Sequence, residues 1–225
     1  MFTGIVQKQG KIIAIKKENK AWKFRVEANN FPKDIKKGDS IAVNGVCATI
    51  VDFEKNKFAF EAIEETLKKT NFKKLKKGSV VNLEKSIKWN EKIDGHFVQG
   101  HVDETGKILN IKNDKKRTKI TISLSKEMRP FVAYKGSISI NGISLTISEV
   151  ENKNLRSFFQ ILSTNLSKFS PSHNIVKFSF VLTSSTRIIP RKIRSNTKSG
   201  YSLPTRNLLH IRIACKISDK LDSIQ

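Results

Sequence analysis

The chain has 225 residues, of which 38% are hydrophobic and 28% charged, a length and balance that fit one or two domains with a buried core and exclude a disordered polymer. Its 43 Lys+Arg against 20 Asp+Glu leave a formal net charge of +23, which favours anionic partners without choosing among phosphates, nucleic acid and membrane. No apolar run approaches the roughly 18 residues needed to span a bilayer, and MFTGIVQ lacks the basic-then-apolar layout of a signal peptide, so a soluble, cytoplasmic protein with no membrane partner is expected.

In chain order, TGIVQKQGKII (3–13) comes first, then SIAVNGVCATI (40–50). In the latter, apolar and small or polar residues alternate up to Asn44-Gly45, a pair that tolerates positive φ, so the segment predicts a β-hairpin. KFAFEAI (57–63) and SVVNLEKSI (79–87) read as further strands, with polar EETLKKTN (64–71) as a helical turn between them. The Lys-rich KKTNFKKLKKG (68–78) reads as a solvated face, since only Phe72 and Leu75 interrupt it. The pattern then repeats: QGHVDETGKIL (99–109) matches 3–13 through a shared G-x5-G-K-I frame, ITISLS (120–125) is a strand, and SISINGISLTI (137–147) matches 40–50 at six of eleven positions. Offsets of 96 and 97 residues in the same order predict duplicated domains. Short strands with Gly-containing turns, in units too small for a large sandwich, favour compact antiparallel barrels.

Several chemical candidates have a plain structural reading. Cys47 and Cys215 form no CxxC pair and read as free thiols, and Cys47, inside an apolar run, reads as a core side chain on the residues alone. His96 and His101, five apart, fall on opposite faces of a strand and make a poor helical pair, which argues against zinc; no metal is expected. Thr49 and Thr146 are β-branched strand formers.

MFTGIVQ, GDSIAVNGVCATI, GHFVQGHVDETGKI and KGSISINGISLTI together resemble the riboflavin synthase alpha chains, a lumazine-binding repeat family, over about residues 1–150. The resemblance implies an all-β chain of two tandem six-stranded Greek-key antiparallel barrels, a C-terminal helix and a homotrimer. It also implies a cofactor-free dismutation of two 6,7-dimethyl-8-ribityllumazine molecules into riboflavin and 5-amino-6-ribitylamino-uracil, the final step of riboflavin biosynthesis. The implied boundaries are 1–97 for the first lumazine-binding barrel, 98–190 for the second and 191–225 for a basic tail. Carried over by position, the substrate contacts are Phe2; Gly4, Ile5 and Val6; Cys47, Ala48 and Thr49; Glu61, Ala62, Ile63, Glu64, Glu65 and Thr66; His96; Gly100, His101 and Val102. In the second barrel they are Lys135, Ser144, Leu145 and Thr146. Ser40, Cys47 and His101 are the expected catalytic helpers, with the active cavity shared between the first barrel of one subunit and the second barrel of its neighbour.

The chain departs from this pattern near residue 155. Residues 1–155 hold 28 Lys to 3 Arg, whereas 156–225 hold 6 of each with only 2 acidic residues, and 13 of 22 serines fall in that last part. The Glu-Thr-Leu, Lys-Lys-Gly and Val-Asn-Leu-Glu elements expected in the second copy are missing. A reading-frame change near 155–165 accounts for both observations and predicts a second barrel lacking its last strands, followed by an irregular, poorly packed tail. Two other classes stand beside the enzyme: a non-catalytic lumazine- or flavin-binding protein and, more weakly, a basic nucleic-acid-binding barrel.

Overall fold

The computed structural model describes residues 1–31, 34–114, 117–153, 156–163 and 175–180. Twelve strands build two closed antiparallel barrels. The first comprises β1 (Lys8–Lys17), β2 (Ala21–Glu27), β3 (Ser40–Val43), β4 (Val46–Glu54), β5 (Lys57–Ile63) and β6 (Val80–Lys85). The second comprises β7 (Glu104–Asp114), β8 (Arg117–Leu124), β9 (Ser137–Ile140), β10 (Ile143–Lys153), β11 (Arg156–Ser163) and β12 (Ile175–Phe180). In the first barrel the order is β1-β2-β5-β4-β3-β6, and the second repeats it with the corresponding strands. Because β2 returns beside β5 and β6 beside β3, the β3-β4-β5 meander is flanked by Greek-key connections on both sides. Closure leaves no open sheet edge in either barrel.

The duplication extends to local irregularities. A bulge between Ile12 and Ala14 recurs between Ile108 and Asn110, and one between Ile50 and Asp52 recurs between Ile147 and Glu149. Bulges sharpen strand twist, so each barrel bends its long strands at the same two places. The Asn-Gly hairpins are alike as well, with φ of 49° and 79° at Asn44 and Gly45 and 50° and 79° at Asn141 and Gly142. Positive φ at both central residues gives the turn twist that antiparallel strands prefer.

In the first barrel Phe24, Phe60 and Phe72 form a fully buried triangle with ring centroids 5.1–5.5 Å apart; among the described side chains of the second, the buried core is built on Ile120, Ile122, Ile138, Ile140 and Ile147. Helix α1 (Glu64–Lys69) and the 3-10 turn Asn71–Lys74 cover one end of the first barrel. Phe72 and Leu75 of the Lys-rich stretch are both core residues, so neither is offered to a nucleic-acid base for stacking.

The second barrel closes with all six strands, as the family resemblance implies and unlike the shortened barrel that a reading-frame change predicts. Closure needs backbone ladders, and these do not depend on the missing motifs: β11 pairs with β8 and β10, and β12 pairs with β7 and β9. The β11 sequence RSFFQILS is itself rich in strand formers. The expected irregular tail, 191–225, lies outside the described residues.

Candidate functional site

The two barrels meet through segments that cross from one to the other. Phe2 and Val98 exchange both backbone hydrogen bonds, at 2.8 and 2.9 Å, in an isolated antiparallel bridge. Beyond that bridge the chains part to opposite barrels. The Gly4 carbonyl accepts from the Ser144 N–H at 2.7 Å, on the second barrel's β9–β10 hairpin, and the Gly100 carbonyl accepts from the Cys47 N–H at 2.9 Å, on the first barrel's β3–β4 hairpin. Both glycines hold left-handed φ, 75° and 84°. A Cβ at either would meet the hairpin residue at 2.7–2.8 Å, so glycine is what lets the backbones approach. At the centre the hairpin tips abut: a Cβ on Gly45 would lie 2.6 Å from the Gly142 amide nitrogen, and one on Gly142 2.8 Å from that of Gly45. The Asn82 side-chain amide ties the tips together by donating to the Asn141 carbonyl at 3.0 Å.

Two equivalent clusters result. In one, Gly100, His101 and Val102 lie along Cys47, Ala48 and Thr49, and Val102 packs onto the first barrel's core. Ser40 stands opposite Thr49 in the β3–β4 ladder. Glu61, Ala62 and Ile63 end β5 in the same barrel, with Glu64, Glu65 and Thr66 in α1. Thr49, Glu61, Ile63 and His101 are exposed, whereas Ala62 is a core side chain and has only its main chain to offer. Glu64 and Glu65 pair with Lys68 at 2.6 Å and Lys69 at 3.1 Å, exposed contacts of little energetic weight.

In the other cluster Gly4, Ile5 and Val6 lie along Ser144, Leu145 and Thr146 of the second barrel, with Ile5 and Thr146 exposed. Sequence proximity suggests that 4–6 serves the first barrel; the backbone carries it to the second. Lys135 enters β9 with a left-handed φ of 66° where the first copy has Gly38, and its N–H reaches the Ile147 carbonyl as that of Gly38 reaches Ile50. A non-glycine residue held there carries backbone strain. Phe2 is fully buried between the barrels with Ala42, Val98 and Cys47.

His96 also joins the second cluster. Its Nδ1 lies 2.7 Å from Ser144 Oγ, its N–H donates to the Thr3 carbonyl at 3.0 Å, and its buried Nε2 has no hydrogen-bond partner among the described residues. Burial lowers the imidazole's proton affinity below the ordinary histidine value. The folded protein therefore binds fewer protons than the unfolded chain once pH drops below about 6.5. Stability from this group is complete above that pH and is lost on acidification. In urea titrations between pH 7.5 and 5 the wild type loses stability with a slope that His96→Asn reduces; equal slopes would show that His96 does not titrate this way.

Glu84 gave no chemical signal in the sequence beyond its place in a strand. Only 3% exposed, its carboxylate accepts from the Thr3 N–H at 2.6 Å, the Thr3 hydroxyl at 2.8 Å and the Gly4 N–H at 3.1 Å. Burial raises its pKa even against these three donors.

A family model described as the lumazine binding domain matches residues 3–86 and 99–173, once on each barrel. The chain belongs to the lumazine-binding domain family. The second match runs past residue 155, where the composition changes. Among members of this family, the riboflavin synthase of Actinobacillus pleuropneumoniae is 40% identical over 156 residues, covering 69% of this chain and 73% of that protein. The riboflavin synthase of Bacillus amyloliquefaciens is 42% identical over 147 residues, covering 65% and 68%. Among solved structures, LumP complexed with riboflavin superposes with a TM-score of 0.67 at 26% identity, over 80% of this chain and 100% of that one. LumP complexed with 6,7-dimethyl-8-(1'-D-ribityl) lumazine gives 0.65 over 80% and 99%.

Proposed function

We propose that this lumazine-binding chain is a riboflavin synthase that dismutates two 6,7-dimethyl-8-ribityllumazine molecules to riboflavin and 5-amino-6-ribitylamino-uracil. The observation that carries this reading is the reciprocal crossing of 4–6 and 100–102, which gives each barrel one cluster of the same plan. A reaction between two identical molecules is served by two sites built on one plan. The reaction joins the rings after the 7-methyl group of one loses a proton and C7 of the other gains a nucleophile. Holding two rings face to face supplies orientation, worth about 7–11 kcal/mol in favourable cases. Ser40, Cys47 and His101, on or beside the first cluster, are the proposed helpers in proton transfer and addition. The backbone of 4–6, 47–49, 61–66 and 100–102, with Thr49, Thr66, Ser144 and Thr146, holds the ring edge and ribityl chain. Completing the cavity from a neighbouring subunit in a homotrimer, within the cytoplasm, is part of the same reading.

LumP, a fold neighbour solved with bound lumazine, riboflavin and flavin mononucleotide, supports a second reading, a binder without turnover. Incubation with the lumazine separates the two. Growing yellow-green riboflavin fluorescence over many turnovers supports the enzyme, and uptake at fixed stoichiometry without product supports the binder.

A further inference from the structure

We propose that Glu84 is a positioning residue for one half-site only. It clamps the Thr3–Gly4 backbone against the Ser144 hairpin, and the second repeat has a serine at the corresponding place, so the two half-sites hold lumazine unequally. The proposal rests on the lumazine-binding reading above.

The two copies supply their own control. The crossing segments share a left-handed glycine, Gly4 or Gly100, and a carbonyl bonded to a hairpin amide, Ser144 or Cys47. They differ behind the segment. On β6 Glu84 stands opposite Ala42 of β3, and on β12 the corresponding place opposite Ser139 of β9 is Ser179. Serine has no carboxylate with which to accept from two successive amides and a hydroxyl. A buried carboxylate is costly without such donors, and three donors within 3.1 Å offset part of that cost at Glu84. Thr3 and Gly4 are thereby fixed on one side by Glu84 and on the other by Ser144. At the place corresponding to Glu84, the second repeat offers Gln99 and Gly100 a serine rather than a carboxylate. A pre-positioned segment loses less freedom when a ligand settles against it, so the Gly4–Ser144 half-site is the tighter one.

The test uses the full chain with Glu84→Gln and, as its converse, Ser179→Glu. In amide hydrogen exchange, Glu84→Gln speeds Thr3 and Gly4 at least tenfold without changing the amides of Phe24 and Phe60, and Ser179→Glu slows Gln99 and Gly100. In fluorescence titration with 6,7-dimethyl-8-ribityllumazine, the wild type shows two classes of site. Glu84→Gln weakens the tighter class about tenfold and leaves the other within twofold. A purely structural role would weaken both classes together, and that result overturns the proposal, as do unchanged rates at Thr3 and Gly4. If Glu84→Gln does not fold, Ser179→Glu decides: unchanged exchange at Gln99 and Gly100 refutes the asymmetry. Wild-type protein that takes up no lumazine refutes the functional reading and the affinity half of the proposal, while its exchange data still judge the clamp.

Discussion

Gly95→Ala lowers the unfolding free energy by about 3 kcal/mol and removes lumazine turnover. The added Cβ would sit 2.0 Å from the Thr3 carbonyl oxygen and 3.1 Å from Ser144 Cβ. The first of these is backbone and cannot swing aside. Relief requires displacing Thr3, which breaks the His96 N–H bond to its carbonyl and disturbs the bonds from Thr3 and Gly4 to Glu84. Overpacking of this kind costs about 1–3 kcal/mol, and each buried polar group left unpaired adds a comparable amount. Because the same residues shape the Ser144 cluster, activity falls further than stability. Urea unfolding together with the riboflavin fluorescence assay measures both. A wild-type midpoint would mean that the crossing segment tolerates displacement.

At the hairpin tips the expected result is coupling. Gly45→Ala and Gly142→Ala each cost about 2–4 kcal/mol, combining a left-handed conformation unfavourable by about 1–2 kcal/mol with a clash against the opposing backbone. Either substitution pushes the tips apart, and the second then meets less resistance. The double variant should therefore fall short of the sum by about 1 kcal/mol or more. Strict additivity would show that the two tips are mechanically independent.

Much of this architecture is legible in the sequence. Asn44-Gly45 and Asn141-Gly142 announce their hairpins because the turn requires positive φ, and the 97-residue spacing of the two copies predicts the paired barrels. Strand β1 is not legible because its buried positions, Gly10 and Ile12, are outnumbered by lysines. The crossing of Gly4 to Ser144 is not legible, for a physical reason. Both repeats carry the same hairpin, so periodicity within one copy cannot say whether a segment pairs with its own barrel or with the twin. Glu84 is hidden similarly: in Val-Asn-Leu-Glu a carboxylate reads as an outward-facing strand residue, and its burial depends on donors some 80 positions earlier. The closure of the second barrel is not legible in the side-chain motifs after residue 155, because the ladder needs only extended backbone. His96 is the intermediate case. The resemblance marks it as a contact, but its burial against Ser144 follows only from the segments that cross between the barrels.

The route taken by the first residues also bears on biosynthesis. Residues 1–6 leave the ribosome well before Ser144, yet the amide that Gly4 binds belongs to Ser144. At usual elongation rates of about 5–20 residues per second, Phe2 and the backbone beside it wait on the order of ten seconds for their seat. The nascent chain thus carries an apolar, strand-competent segment that stays adhesive until Ser144 has been made, and crowding among neighbouring ribosomes on one message is where mispairing between copies would begin.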